Sequence, residues 1–503
     1  MRSKNALKNI ISSLLLQMVN VVCGFIVPKL IIDSFGSATN GLINSMTQFL
    51  AYITLLESGF GPVVKSVLYK PIAEKNKKQL ELILKASERF FRKIAWIFVA
   101  YIAGLCIFFP ILVNNQFDAL FTISLLVAIA IGTFAEYYFG MTYTLYLQAK
   151  QKTYVTSYIQ IFTTILTTIV VVILIKTGCN IQVVKFATAA VVILKPLIQN
   201  YYVRKKYQIQ LKGADDSYAI KQKWDGLAQH VAAVIHDNTD IVVLSILSNM
   251  KEVSVYSVYM LVVKGAKKFI QAFNNGIDAS FGNMLAKKEY DTLGKKFKSY
   301  ELFYHTVTSI MLISVMLLIT SFVGVYTKGV DDVDYIRPVF GILIALSEYI
   351  WAIRLPYSSL TLAAGHFKQT RKGAWIEAIV NIVLSVILVF HFGIVGVAIG
   401  TVVAMMIRSI EFMVHCSKYI LKRKMICSFQ WTILAAIETG IAFAFFSFFK
   451  LATPEGFVDW IKNAVIVALF VAVEVLVINS ITHLSELKDL KSITKNVIRK
   501  EKK

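Results

Sequence analysis

Apolar stretches of roughly 20 residues, each long enough to cross a bilayer, alternate with short polar gaps along this whole chain. Such a stretch satisfies its backbone hydrogen bonds in hydrocarbon only as a helix. The alternation therefore dictates an all-α polytopic membrane protein. About fourteen spans can be counted, at approximately 10–32, 42–67, 94–113, 119–147, 154–176, 181–203, 226–248, 253–283, 301–326, 335–362, 374–391, 394–416, 430–450 and 460–482. The spans look apolar all round; Ile161 to Ile175, for example, holds no charge. With gaps this short, the function must lie between the helices.

Every second gap carries a cluster of Lys and Arg. The segments 68–93, 203–225, 284–300 and 417–429 are basic, whereas 114–118 and 177–180 hold no cation. The positive-inside rule places the basic gaps and both termini in the cytoplasm, against an anionic inner leaflet. The net charge of +23 is thus spread over loops, not gathered on one face as nucleic-acid binding would require. A hydrophobic fraction of 56% against 17% charged residues excludes an ordinary soluble globule. The basic start Arg2, Lys4 and Lys8 leads into an apolar run too long for a signal peptide, so it reads as the first span. The cysteines form no CxxC pair and no Cys/His metal spacing. The catalytic and phosphate-binding motifs of soluble enzymes are missing, and no loop has room for a nucleotide-binding domain, so an enzyme or an ATP-driven pump is not expected.

The two halves echo each other at a shift of roughly 212–218 residues. Glu136-Tyr137 matches Glu348-Tyr349, Gln151-Lys152-Thr153 resembles Lys368-Gln369-Thr370, and Ala73-Glu74-Lys75 resembles Ala286-Lys287-Lys288. A shift of six spans preserves orientation. The expected architecture is therefore two six-helix lobes related by a parallel pseudo-twofold repeat, plus a C-terminal helix pair. The lobes are residues 1–205 and 226–417, joined by a cytoplasmic linker at 206–225. Spans 13 and 14 occupy 430–482, and a basic cytoplasmic tail, 483–503, is either an amphipathic helix on the inner leaflet or a solvated segment. Two such lobes make a carrier with a central cavity and alternating access.

Ionisable groups at membrane depth face a cavity or a partner, or snorkel from span ends. Lys29 follows Pro28, Lys65 follows Gly61-Pro62, and Arg354 precedes Pro356. Lys264 and Lys268 share span eight. These five are the candidate cavity cations, and they suit an anionic substrate. Glu57 lies two turns before Lys65 and could pair with it. Asp237 and Asp240 in span seven, Glu377 and Asn381 in span eleven and Thr401 in span twelve could hold Na⁺ or relay H⁺; the other reading is interhelical hydrogen bonding. His236 with Asp240 lacks the further ligands that a transition metal needs. Glu438 and Glu474 belong to the added last pair and acquire no role.

The stretch Ala363-Ala364-Gly365-His366-Phe367-Lys368-Gln369-Thr370, then Glu377-Ala378-Ile379-Val380-Asn381, then Phe392 to Thr401, resembles the Wzx-type polysaccharide flippases. These belong to the multidrug/oligosaccharidyl-lipid/polysaccharide (MOP) superfamily. Phe35-Gly36, Glu57-Ser58-Gly59, and Asp240 with Tyr256-Ser257-Val258-Tyr259 resemble the same family. The resemblance implies outward flipping of polyprenyl-diphosphate-linked oligosaccharides across the bacterial cytoplasmic membrane for surface polysaccharide export, with a polysaccharide polymerase as a functional partner. It implies no cofactor beyond coupling to Na⁺, H⁺ or the membrane potential. The related lipid II flippases carry cavity arginines on spans one, two and eight, where this chain has Lys29, Lys65 and Lys264. They hold Na⁺ between spans seven, eleven and twelve, where Asp240, Asn381 and Thr401 match and Glu377 departs from the shorter carboxylate expected. A multidrug exporter of the same superfamily and a membrane glycan polymerase or glycosyltransferase are the alternatives. The cavity lysines disfavour the first, and the short outer loops disfavour the second.

Overall fold

A computed structural model describes residues 2–57, 60–113, 116–209, 211, 227–275, 281–282, 284–285 and 287–483. Most of the 206–225 linker and all of the tail after His483 lie outside these residues. The described chain is helical, with no strand among the described residues. Its helices are α1 (Arg2–Ala51), α2 (Thr54–Glu57), α3 (Phe60–Ala73), α4 (Lys77–Leu112), α5 (Ala119–Ala135), α6 (Met141–Ala149), α7 (Thr153–Lys176), α8 (Ile181–Tyr207), α9 (Leu227–Leu247) and α10 (Met250–Asn275). They continue with α11 (Tyr290–Tyr326), α12 (Pro338–Ala363), α13 (Phe367–Phe392), α14 (Ile394–His415), α15 (Ile426–Phe448) and α16 (Phe457–Thr482). Among the described residues, eleven helices are long and apolar enough to cross a membrane. This is a multi-pass membrane protein.

The differences from the sequence reading have local causes. Spans one and two run together as α1, but Gly36 breaks the helix at φ 80°, ψ 165°. A side chain is strained at such a positive φ, so glycine makes the bend. Spans three and nine are longer than expected. α4 has 36 residues and α11 has 37, about 54 Å each at 1.5 Å per residue, against a hydrocarbon core of about 30 Å. The basic segments before them are thus helical extensions, not loops. In α4 the extension starts where Asn76 accepts a bond from the Gln79 amide at 3.1 Å. It then buries Leu80, Ile83, Leu84, Ser87 and Phe91 along one stripe. Asp118 and Asn180 cap α5 and α8 in the same manner.

The repeat is written into the turns. Left-handed backbone occurs at Lys75 and Lys288, at Gln151 and Gly365, at Gly178 and Gly393, and at Gln208 and Lys422. The members of each pair are 213 to 215 residues apart. Four helix-ending turns therefore recur in order at one shift, which a chance match of lysine-rich loops does not produce. The parallel six-span repeat stands on backbone geometry as well as on residue identity.

The chain divides into two compact units, Met1–Ser254 and Val255–Lys503. The division falls inside α10, later than the 206–225 linker. In the first unit α9 packs on α1. The Asn40 amide donates to the Ser254 hydroxyl at 2.8 Å with both residues buried, and Gly41 lies against the Met250 carbonyl. These contacts hold the first turn of α10 with the first unit. In the second unit α12, α13 and α14 pack together, with α11 bridging to α15 and α16.

A Cβ at Gly41 would stand 1.7 Å from the Met250 carbonyl oxygen. Gly41→Ala should destabilise the protein by about 1–3 kcal/mol, read as a lower melting temperature of the purified protein. Gly104→Ala, where a Cβ meets nothing within 4 Å, should melt like the parent. Native thiols test the orientation: an impermeant maleimide applied to intact cells should label Cys179 and spare Cys427 until the membrane is opened. The reverse pattern would invert the topology.

Candidate functional site

The first unit encloses a cavity of about 700 Å³ between α1, α2, α5, α7 and α8. Its lining is polar for a membrane lobe. Threonines supply much of it, and Thr163, Thr164, Thr167 and Thr168 bring one face of α7 to the wall. That spacing, i, i+1, i+4 and i+5, is a helix face, and it was present in the span read as apolar all round. Glu57, Glu136, Lys185 and Lys195 supply the charge. Lys195 pairs with Glu136 at 3.2 Å. Lys185 makes no ion pair among the described residues. Glu57 turns toward Tyr137 and Glu136 rather than Lys65, and its Oε2 is buried without a hydrogen-bond partner. Glu136 and Tyr137 open a π-helical turn, Glu136–Gly140, set between α5 and α6. Such turns are enriched at functional sites. Here consecutive side chains, Glu136 and Tyr137, both reach the cavity. Lys185 and Lys195 were not singled out from the sequence, and Tyr137 only as part of the repeat; their place in the cavity depends on which helix faces meet.

The second unit contains a different cavity, of about 720 Å³, between α12, α14 and α15. Ile342, Ile350, Ile353, Met406, Ile410 and Phe443 are typical of its wall. Met406 and Ile410 are half exposed, so the cavity opens on the outside of the unit. Its polar contribution is confined to a few hydroxyls such as Ser409 and Thr439.

The charged groups of the second unit are largely answered within it. Arg354 donates to Glu377 at 2.7 Å, and Arg408 lies 3.5 Å from the other Glu377 oxygen. Arg408 also pairs with Glu411 and donates to the Thr370 carbonyl at 2.8 Å. Arg354, Glu377 and Arg408 are all buried. Beside this ladder the Asn381 amide donates to Thr401 at 3.1 Å. Lys267 reaches Glu348 at 3.2 Å and lies over the Trp351 ring at 4.5 Å.

The candidate residues fall into groups. Lys29 is half-buried and bonds Asp33, one turn on, at 2.7 Å. Lys65 is half-buried on α3 with no ion pair among the described residues. Lys264 and Lys268 are exposed on α10. Arg354 and Glu377 are brought together, as are Asn381 and Thr401. Asp240 is buried in the first unit, near Tyr52. The Asp237 side chain lies outside the described residues. Two guanidiniums hold the Glu377 carboxylate, which makes it a counter-charge for α12 and α14.

The architecture is a helical membrane fold with a six-span repeat, a polar cavity in the first unit and an apolar one in the second. Solved structures agree on the fold. The chain is similar to the lipid II flippase MurJ in an inward closed conformation, with a TM-score of 0.67 and 15% identity over 93% of this chain and 98% of that one. It is similar to an inward-facing multidrug-resistance MATE transporter, with a TM-score of 0.61 and 12% identity over 81% and 95% of the two chains. A MOP-superfamily transporter from Pyrococcus furiosus gives 0.54 and 12% over 84% and 96%. No protein-family model matches the sequence, and no curated protein matches it.

Removing one member of a buried ionic ladder strands the others. Glu377→Ala should cost about 3–5 kcal/mol of stability, since it leaves two buried guanidiniums without their shared carboxylate. Asn381→Ala, which removes the bond to Thr401, should cost about 1 kcal/mol. Thermal melts of the purified variants check the order; a milder loss in Glu377→Ala would remove the ladder from its structural role.

Proposed function

We propose that the protein flips polyprenyl-diphosphate-linked oligosaccharide units from the inner to the outer leaflet of a bacterial cytoplasmic membrane by alternating access. The observation that supports this reading is the contrast between the two cavities. The first presents several threonine hydroxyls, as sugars require, and carries Lys185 outside any ion pair among the described residues, as phosphate requires, beside Glu57 and the Lys195–Glu136 pair. The second is of similar volume, is almost wholly apolar and opens on the outside of its unit, as a prenyl chain requires. A substrate that needs both chemistries is an amphiphile with a hydroxylated, anionic head. The MurJ neighbour, titled a lipid II flippase, is in keeping with a lipid-linked substrate.

In this reading Lys65 and Lys264 contact the diphosphate from α3 and α10, and the first-unit cavity takes up sugar hydroxyls. Lys29, with Asp33 as its partner, contributes less net charge. Lys268 adds to the field at the α10 end. Asp240 in the first unit, and Asn381 and Thr401 in the second, are the candidates for ion coupling. Outward movement of negative charge gains about 2.3 kcal/mol per uncompensated charge per 100 mV of inside-negative potential. The flipped unit is then available to a polysaccharide polymerase on the outer face.

Glu57 favours a second reading. A carboxylate with one oxygen unpartnered in a polar cavity suits an organic cation, the cargo of a multidrug exporter. Proteoliposomes loaded with a polyprenyl-diphosphate oligosaccharide separate the two. Flipping of the glycan lipid should be fast in the parent and at least an order of magnitude slower in Lys65→Ala and Lys264→Ala. Undiminished flipping in both variants would remove the cationic contact. Movement of a cationic dye without the glycan lipid would decide for the exporter.

A further inference from the structure

The last helix pair carries two carboxylic acids that the carrier reading leaves unused. Glu438, on α15, is fully buried, and Glu474, on α16, is half-buried. All four of their carboxyl oxygens lie inside the protein without a hydrogen-bond partner. Neither forms an ion pair among the described residues. The groups facing Glu438 are Glu474 from α16, the Ser309 hydroxyl from α11 and the Tyr349 phenol from α12. None of them is cationic.

Ser309 and Tyr349 begin a chain. Their oxygens are 2.6 Å apart, and Ser309 lies 3.3 Å from His305 Nδ1. His305 Nε2 is 2.9 Å from the Trp431 carbonyl oxygen. A carbonyl only accepts, so Nε2 carries the hydrogen and Nδ1 accepts from Ser309. Ser309 in turn accepts from Tyr349. His305 also borders a small cavity of about 10 Å³ with Glu301, Thr308, Tyr357 and Trp431. That is about the smallest space that admits one water molecule. Thr308 Oγ1 and Trp431 Nε1 are buried there without partners. Glu301, one turn before His305 on α11, is held by Arg423 at 2.7 Å. Arg423 lies in the basic segment 417–429, which the positive-inside rule assigns to the cytoplasm. From Glu301 to Ser309 the helix rises about 12 Å.

We propose that Glu438 and Glu474 form a proton-binding site within the bilayer, holding one exchangeable proton between them and reached from the basic end of the lobe through His305 and Ser309. Two carboxylates within electrostatic reach of each other, with no cation to answer them among the described residues, cannot both stay ionised in a low-dielectric lobe. A metal ion is the poorer occupant. Its usual ligands in such carriers include carbonyls freed by broken helices, and α15 and α16 run unbroken past both glutamates. The transfer is a simple relay. Nδ1 takes the Ser309 proton, and Ser309, on closing to hydrogen-bond distance, takes that of the Glu438 carboxyl it faces, leaving a carboxylate. His305 Nε2 then releases its own proton toward the small cavity. Use of this proton to drive transport rests on the proposed function; the site itself does not.

Infrared spectroscopy of the full chain in lipid nanodiscs tests the site without any transport substrate. The parent should show the C=O stretch of a protonated carboxyl at neutral pH, lost at alkaline pH, and Glu438→Gln or Glu474→Gln should remove it. The second variant, at a half-buried position, guards against a folding defect in the first. His305→Phe should keep the band and slow its shift in D₂O by at least an order of magnitude. A band that is absent from the parent, that persists in both glutamine variants, or that responds to Na⁺ rather than to pH overturns the proposal.

Discussion

Inside hydrocarbon a charged side chain has no water to turn to, so its charge must be answered by a neighbour or removed by a proton. That requirement organises this protein. Helices in a bilayer gain little from the hydrophobic effect on meeting each other, because lipid is as apolar as leucine. Close packing and polar contacts hold them instead. In the first unit Glu88, buried on α4, gathers Arg92 at 3.0 Å and Arg204 from α8 at 3.6 Å, and Lys195 of α8 meets Glu136. In the second, the Arg354–Glu377–Arg408–Glu411 ladder joins α12, α13 and α14, and Arg423 fastens the segment before α15 to Glu301 of α11. Each tie stays within its own unit, which is what a rigid lobe requires.

Much of this was legible. The alternation of apolar spans and basic gaps gave the class, because length and charge act through the bilayer itself and need no knowledge of neighbours; of about fourteen expected spans, eleven among the described residues are long and apolar enough to cross. The repeat was legible at Glu136-Tyr137 and Glu348-Tyr349, and the turn geometry at Lys75 and Lys288 repeats with it. What escaped depends on azimuth and distance. A hydropathy window records that Ile161 to Ile175 is apolar on average and misses four threonines on one face. The partner of Arg423 is 122 residues away, and no period in the sequence points to it. Lys29 is instructive in the other direction. Its partner Asp33 stands at i+4, a spacing visible in the sequence, yet the adjacent proline drew attention toward a cavity.

The same rule weighs the candidate cations against one another. A cation already bound to a carboxylate at 2.7 Å, as Lys29 and Arg354 are, must give up that bond before it binds substrate. For Arg354 this would also strand Glu377. Lys65, half-buried with no ion pair among the described residues, carries no such cost. Residues that hold a lobe together and residues that meet a passing substrate are therefore distinguished by whether their charge is answered inside the unit.

The rule applies with the opposite sign to α15 and α16. These helices could be dismissed as an appendage to a twelve-span carrier, since they stand outside the repeat. They nevertheless supply one wall of the apolar cavity through Ala435, Thr439 and Phe443. Ser428, at the start of α15, receives a hydrogen bond from Arg423 at 2.8 Å. They also bring in two carboxyls that nothing cationic answers, in a molecule that elsewhere spends an arginine or a lysine on nearly every buried acid. A pair of acids left unanswered in such a molecule must give up one of its two charges to a proton, and a proton held at a defined depth, next to a hydroxyl and imidazole chain, is a moving part. The added pair is thus better understood as machinery joined to the second lobe than as packing around it.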